Sequence, residues 1–416
     1  MLVIGSTQAY KARELLKMYR EKKEEFNMNM PRSRSDEKQH FIEFCNFANM
    51  VQTHNEEDGD EWQGEINKFA MMTEAEREAY HGVNISFAMD ELSRTAELEK
   101  RSDATESIDL EKREADHTRK LPPVKNQGGC GSCWTFGAVA ALEYQINRRS
   151  RTVKALSEQQ YLDCVYEGKR NGCQGGWPSH CYDWTKNNNN LIASQQDYPY
   201  NGKDGACRKN VRSAIYGFKI TGTKMLAKGD TAMLAAVQDA SIGVLSVAIG
   251  VVSSFHSFKS GVYSGSGCTR INHAVDVVGY GTQSGIPYWQ VRNSWGANWG
   301  DKGHIKMRRG SNMCSIASYA HYPLVTGSGD GGDDSNDDSN DDKGDDKKTC
   351  RWKMEARSKL KKSISGLEYS RTAALAKCMS DNKCKGVSCK GSKCMLNGSR
   401  NGKSHDKFVG YVKVCN

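Results

Sequence analysis

Residues 326–348 contain nine Asp, three Lys and otherwise only Gly, Ser, Asn and one Thr, without a single aromatic or aliphatic side chain. Such a stretch has nothing to bury, and its net charge of −6 repels itself, so it reads as an acidic, solvated linker. An acidic calcium-binding repeat is the competing reading, but the Asp spacing lacks the central Gly and terminal Glu of an EF-hand loop. The chain must therefore fold as separate bodies on either side. Beyond the linker, residues 349–416 carry 16 Lys/Arg against four Asp/Glu, a balance of +12, and six of the fifteen cysteines. A body of that size cannot bury enough apolar surface to be stable without staples, so a small disulfide-rich domain is expected there. So many cysteines point to an oxidising compartment, and their odd number leaves at least one thiol without an intramolecular partner.

At about 100–200 residues per domain, 416 residues make two or three folded units. Residues 1–103 hold 14 Lys/Arg against 21 Asp/Glu, a balance of −7, and read as mostly helical. The stretch from Ala9 to Glu25 is rich in helix formers, and Phe41, Phe44, Ala48 and Val51 recur on one helical face. Residues 104–325 have 26 basic and 16 acidic groups, a balance of +10. A helical pattern follows Cys133, and β-like runs occupy Ile242 to Ile249 and Tyr288 to Arg292. One helix followed by strands predicts an α+β body. No run of about 18 apolar residues exists, so no membrane-spanning helix is expected. The opening Met1-Leu-Val-Ile4 is far shorter than an apolar signal core of about 7–15 residues, so a secretion signal is expected upstream of this sequence.

The strongest local signal is Gln127-Gly-Gly-Cys130-Gly-Ser-Cys133-Trp134. Its two cysteines admit three readings. Zinc needs a second ligand pair at suitable spacing, and none is near. A redox dithiol needs a βαβ context that is missing. The third reading makes Cys133 a nucleophile at a helix N-terminus, where free N–H groups and the dipole lower a thiol's pKa. Such a nucleophile needs a base and a group to orient it. Asn272-His273-Ala-Val-Asp-Val-Val sets a histidine at the head of an apolar β-like run, and Asn293-Ser-Trp295-Gly-Ala-Asn-Trp299 sets an amide beside two indoles.

These three blocks resemble the papain/cathepsin family of cysteine proteases, over roughly residues 110–325. The resemblance implies a papain-like α+β fold of two subdomains, one helical and one β-barrel-like. It implies Cys133 as nucleophile, His273 as general acid/base, Asn293 as the group orienting the imidazole and Gln127 as an oxyanion donor. Trp295 would shield the Asn–His hydrogen bond. No cofactor and no metal is implied. The family pattern pairs Cys130 with Cys173, Cys164 with Cys207 and Cys268 with Cys314, which leaves Cys133 free, while Cys181 reads as a small buried residue in a helix. Gly175, Gly176, Trp177 and Pro178 correspond to the substrate wall. Ala248, Asn272 and Ala274 complete the S2 pocket, and the bulky Tyr319 stands at its floor. A shallow S2 favours Leu or Val at P2 and an endopeptidase acting on protein and peptide substrates.

Residues 1–85 resemble, more loosely, the family's inhibitory prosegment, with residues 86–109 as the activation linker ahead of the protease domain at 110–325. The helical signature keeps its spacing at Asp36, His40, Phe44, Phe47, Val51 and Asn55, but only Phe44 and Asn55 carry the usual residue. The following short motif survives as Asn67 and Phe69, with Met71 where Asp is usual. A −7 segment against a +10 body predicts electrostatic attraction that weakens in acid, with self-processing near pH 4–5 between about Ser86 and Asp109. The tail is similar to PAN/apple-like modules, a resemblance that implies nested pairs Cys350–Cys415, Cys378–Cys394 and Cys384–Cys389, and a glycan or protein ligand. Asn84-Ile-Ser and Asn397-Gly-Ser are N-glycosylation triplets. The expected setting is secreted or lysosomal, and no nucleic-acid partner is needed to explain the overall +9. The alternative is a catalytically inactive papain-like scaffold serving adhesion.

Overall fold

A computed structural model describes residues 10–28, 33–83, 85–86, 114–169 and 172–328, together with six strand segments between Cys350 and Cys415. The chain divides into two compact units, Met1–Asp333 and Asp334–Asn416. Asn84, Cys378, Cys384, most of the 86–109 activation linker and nearly all of the acidic linker lie outside the described residues.

The first unit begins with α1 (Ala12–Glu25) and α2 (Arg34–Glu57). Ser33 caps α2 by accepting a hydrogen bond from the Asp36 N–H. The buried face of α2 is His40, Phe44, Phe47, Ala48 and Val51, spaced three and four apart as a helix requires. Tyr19 of α1 packs edge-on against Phe41 and Phe44, both at 5.3 Å. A short strand β1 (Trp62–Gly64) follows, bracketed by the Asn55 amide, which bonds both the N–H and the carbonyl of Gly64. Next come a 3₁₀ turn (Lys68–Met71) and α3 (Glu74–Glu78), which opens with a reciprocal Thr73/Glu76 capping box.

After β2 (Ala115–Asp116) comes α4 (Cys133–Asn147), in which every residue is buried. Being apolar all round, α4 belongs inside the molecule rather than on its surface. Two shorter helices follow, α5 (Glu158–Cys164) and α6 (Pro178–Asn187), the second with a proline in its first turn. Then come β3 (Phe218–Met225), α7 (Asp230–Gln238), β4 (Leu245–Gly250), α8 (Ser253–His256) and β5 (Phe258–Tyr263). Four strands complete the unit: β6 (Ile271–Gln283), β7 (Ile286–Arg292), β8 (His304–Arg308) and β9 (Ala320–Gly327). They form one sheet in the order β1-β5-β8-β7-β6-β4-β9-β3, with β2 pairing to β6. The result is an α+β body with one apolar core around α4, α5 and α6 and a second within the sheet.

Strand β4 starts at Leu245, three residues later than the apolar run beginning at Ile242 implies. Gly243, at φ +66°, ends the turn that leaves α7, its N–H bonded to the Asp239 carbonyl, and no strand can begin before it. At the other end β9 runs to Gly327, two residues into the stretch that reads as linker. Three disulfides join Cys130–Cys173, Cys164–Cys207 and Cys268–Cys314, while Cys45, Cys133 and Cys181 are free.

The N-terminal helical segment is built into the same sheet. Strand β1 pairs antiparallel with β5, Trp62 opposite Gly261, and Trp62, Phe69, Met71 and Tyr80 join the core that contains Trp295 and Trp299. Among the described residues one ion pair crosses from the segment to the body, Glu61 with Arg308. The attachment is therefore mainly apolar and backbone-bonded.

The second unit contains a four-stranded antiparallel sheet, β10 (Cys350–Glu355), β15 (Val409–Cys415), β12 (Gly386–Lys390) and β13 (Lys393–Asn397), plus the pair β11 (Ser358–Leu360) and β14 (Gly402–Ser404). The register sets Cys350 opposite Cys415 and Cys389 opposite Cys394, with Asn397 at the end of β13.

Inside α4, Glu143 is buried with Lys125 at 2.7 Å, and Lys125 also reaches Glu158 at 2.5 Å. Breaking a buried pair costs about 3–5 kcal/mol because the remaining charge loses its partner. Glu143→Gln is expected to lower the thermal unfolding midpoint by roughly 6–20 °C, at about 2–4 °C per kcal/mol for a body of this size. A calorimetric shift below about 2 °C would show that the network contributes little.

Candidate active site

Cys133 is the first helical residue of α4, with Ser132 as the cap residue. The chain needs Ser132 and Cys133 at that spot because the Cys130–Cys173 bridge holds the preceding loop, whose Gly131 N–H bonds the Cys173 carbonyl. Strand β6 brings His273 to the same place, and the Ala274 N–H lies 3.4 Å from the Cys133 sulfur. Asn293 follows the last residue of β7, the strand paired with β6, so its Oδ1 lies 2.9 Å from His273 Nε2. The Ser294 N–H donates to that same Oδ1 at 2.8 Å and holds the amide in place. Trp295 covers the pair, its ring 4.9 Å from the imidazole. Gln127 is wholly buried: its Oε1 accepts from Ser294 Oγ at 2.6 Å, and its Nε2 donates to the carbonyls of Tyr80 and Cys130 at 2.8 and 3.0 Å.

The substrate-wall residues line the same cleft. Gly175 adopts φ +98°, and a Cβ on Gly176 would collide with the Trp134 indole, so neither position accepts a side chain. Trp177, Ala248 and Tyr319 share one apolar cluster with Ile271, Trp177 and Tyr319 meeting edge-on at 5.9 Å. Pro178 is buried at the start of α6. Asn272 lines the cleft but directs its side chain to the backbone of Val251. Ala274 stands directly across β4 and β6 from Ala248, with its backbone N–H turned to the thiol.

The segment Tyr80 to Val83 runs across all of these groups. The Gly176 N–H donates to the Gly82 carbonyl at 2.8 Å and the Val83 N–H donates to the Asn272 carbonyl at 3.1 Å. Val83 packs into the Trp177, Ala248 and Tyr319 cluster. The Gly82 N–H meets the Cys133 sulfur, so the segment offers the thiol a donor and no electrophilic carbon. Water is excluded as a result. Burial pushes the Cys133 thiol up to about 12, against the opposing backbone N–H groups, and pushes His273 down to about 3. In this covered state both groups are neutral.

Several participants have no sequence motif. The Lys125–Glu143–Glu158 network fixes the loop that leads to Gln127; a lone Glu within α4 was its only trace. His256, buried against Trp295 with rings 5.1 Å apart, carried no signal at all.

A model of papain family cysteine proteases matches residues 104–324. Thiol protease aleurain of Arabidopsis thaliana is 42% identical over 212 residues, 49% of this chain and 57% of the relative, so the match spans little over half of that protein's length. A cathepsin L-like proteinase of Fasciola hepatica is 38% identical over 264 residues, 62% of this chain and 78% of the relative. Among solved structures, a recombinant stem bromelain precursor matches with a TM-score of 0.63 at 31% identity, covering 74% of this chain and 98% of that one.

Gly82 has no room for a side chain, because a Cβ would collide with the Gly131 carbonyl. Gly82→Val is therefore expected to unseat the segment and raise the rate of Cys133 alkylation at pH 7.5 by at least about tenfold. An unchanged rate, read by peptide mass, would mean that Gly82 does not control access to the thiol.

Proposed function

The chain belongs to the papain family of cysteine proteases, and on that premise we propose that it is a latent endopeptidase of the cathepsin type, with residues 1–85 as its inhibitory prosegment. The observation that carries this reading is the convergence of Cys133, His273, Asn293 and Gln127 beneath the Tyr80–Val83 segment. Once uncovered, Cys133 regains water and the field of the α4 N-terminus, both of which favour the thiolate. His273 takes the proton, held in orientation by Asn293. The thiolate attacks the carbonyl carbon of a peptide bond, forming a C–S bond and placing the negative charge on oxygen. Gln127 Nε2 and the Cys133 N–H donate to that oxygen. His273 then passes its proton to the leaving amine as the C–N bond breaks. In the second half it removes a proton from the water that cleaves the thioester, and Cys133 leaves as the thiolate.

Val83 supports an aliphatic preference at P2, since a branched side chain of this protein's own already fills the pocket closed by Tyr319. Self-processing is assigned to residues 86–109 in acid, and the setting to a secreted or lysosomal compartment. The +12 C-terminal unit is proposed as a PAN/apple-like module for acidic glycans, attracted through its charge.

Three measurements test the activity. After acid treatment, an epoxide inhibitor is expected to label Cys133 and abolish cleavage of a peptide with Leu at P2; labelling without any turnover would favour the inactive-scaffold reading. In a P2 library Leu and Val should exceed Phe and Arg, and the reverse order would refute the Tyr319 assignment. Gln127→Ala should lower kcat by about 10²–10³ while Cys133 remains alkylatable. Near-normal turnover would remove Gln127 from the oxyanion site.

A further inference from the structure

Three imidazoles from three separate parts of the chain meet over the thiol. His81 comes from the prosegment, His256 ends α8 and His273 lies in β6. The His81 ring stacks on His256 at 5.3 Å and lies 6.0 Å from His273. His256 and His273 are buried and the His81 side chain is 5% exposed, at the edge of a surface pocket; His256 is closed in further by Trp295 and by Phe69 at 4.8 Å. The charged groups around them are few. Glu78 approaches His81 Nδ1 at 3.4 Å, but its side chain is 62% exposed, so water screens it. Arg77 adds positive charge towards His256 and is itself paired with Glu43 at 2.9 Å. Lys68 holds its ammonium against the Trp295 carbonyl, and the remaining titratable neighbour is the neutral Cys133 thiol. No carboxylate faces His256 among the described residues.

We propose that this histidine stack is the acid-sensitive latch of the prosegment, which seats only while His81, His256 and His273 are all uncharged. Two protonated rings at these separations, without water between them, repel strongly. The direction of the effect follows from burial. The seated state lowers the affinity of all three rings for protons, whereas release returns His81 and His256 towards about 6.5 and lets His273 take its proton from Cys133 without net uptake. Seating therefore keeps its full strength above about pH 6.5 and weakens as the pH falls from there. His81 and His256 each contribute up to about tenfold per pH unit to opening. The single crossing ion pair cannot act in this range, because hydrogen bonds from Ser264 and Arg308 hold Glu61 below the usual carboxylate value. The latch rests on the reading of this chain as a zymogen, and it moves the acid trigger from carboxylates to histidines.

The test uses the full chain. A pyridyl disulfide, which stays reactive towards thiols in acid, labels Cys133 between pH 7.5 and 4, with the site identified by peptide mass. Rates are divided by those of the same chain after the prosegment is cut away by an added protease. Below pH 6.5 the logarithm of opening is expected to rise with a slope that approaches two per pH unit. His81→Gln should reduce that slope by about one, and adding His256→Gln should bring it below one. His81→Lys, which keeps a positive charge at neutral pH, should leave Cys133 open at pH 7.5. A double variant with the parent slope, or a His81→Lys chain that stays closed, would overturn the latch. If the His256 variant does not fold, the two His81 variants decide alone, since the cut enzyme is identical in both. Labelling needs no turnover: shifted slopes in a chain that cleaves no peptide would uphold the latch and refute the protease reading. Cleavage with unmoved slopes would do the opposite.

Discussion

Neither the Cys133 thiol nor the His273 imidazole can hold a charge beneath the Tyr80–Val83 segment, and most of the molecule is arranged around that exclusion of water. The same two groups, solvated at a helix N-terminus, would exchange a proton and form the ion pair that the chemistry requires. On the latent-protease reading, inhibition in this chain is thus more than steric. The segment covers the thiol, and it also removes the solvent that makes the nucleophile. Its backbone supplies a donor to sulfur through Gly82 and accepts from Gln127 through Tyr80, so the thiol and the Gln127 amide keep partners while they are idle.

What holds the segment down is the sheet and an aromatic core. Strand β1 extends the edge at β5, and Phe69 reaches the indole of Trp295, the same ring that shields the His273–Asn293 bond. The N-terminal segment and the Cys133–His273 site therefore share one piece of core, and loosening one exposes the other. The charge imbalance between segment and body is large, yet only Glu61 and Arg308 turn it into a direct crossing pair among the described residues. Long-range attraction of exposed charges is screened within about 8–10 Å, whereas burial is not, so packing dominates the attachment.

Much of this was legible in the chain. The Gln127 to Trp134 block announces a nucleophile at a helix start, because a helix terminus is a local feature written in consecutive residues. The buried face of α2 follows from its periodicity of 3.6, and β6, buried on both sides over nine consecutive residues, from its continuous apolar run. Trp177, Ala248 and Tyr319 were named from a resemblance and do cluster, and Ala274, named with them, pairs across the strands with Ala248 while its N–H meets the thiol. Val83 as their neighbour could not be read, since an isolated valine has no local signature. The same holds for Lys125, whose carboxylate partners lie 18 and 33 residues away.

By itself, the sequence determined the division of the chain at its acidic run, the α+β character of the protease body and the identity of the four residues that converge on the site. These depend on composition, periodicity and short motifs, which are properties of neighbouring residues. Only the tertiary structure decided that His81 stacks on His256 and meets His273, that Val83 packs into the apolar cluster and that Gly82 faces the thiol. The His81–His273 contact alone joins positions 192 residues apart, and nothing in the local chemistry of a histidine or a glycine specifies which distant surface it will meet. Burial, which sets the charge on Cys133 and His273, belongs to the assembled fold and to no single stretch of it.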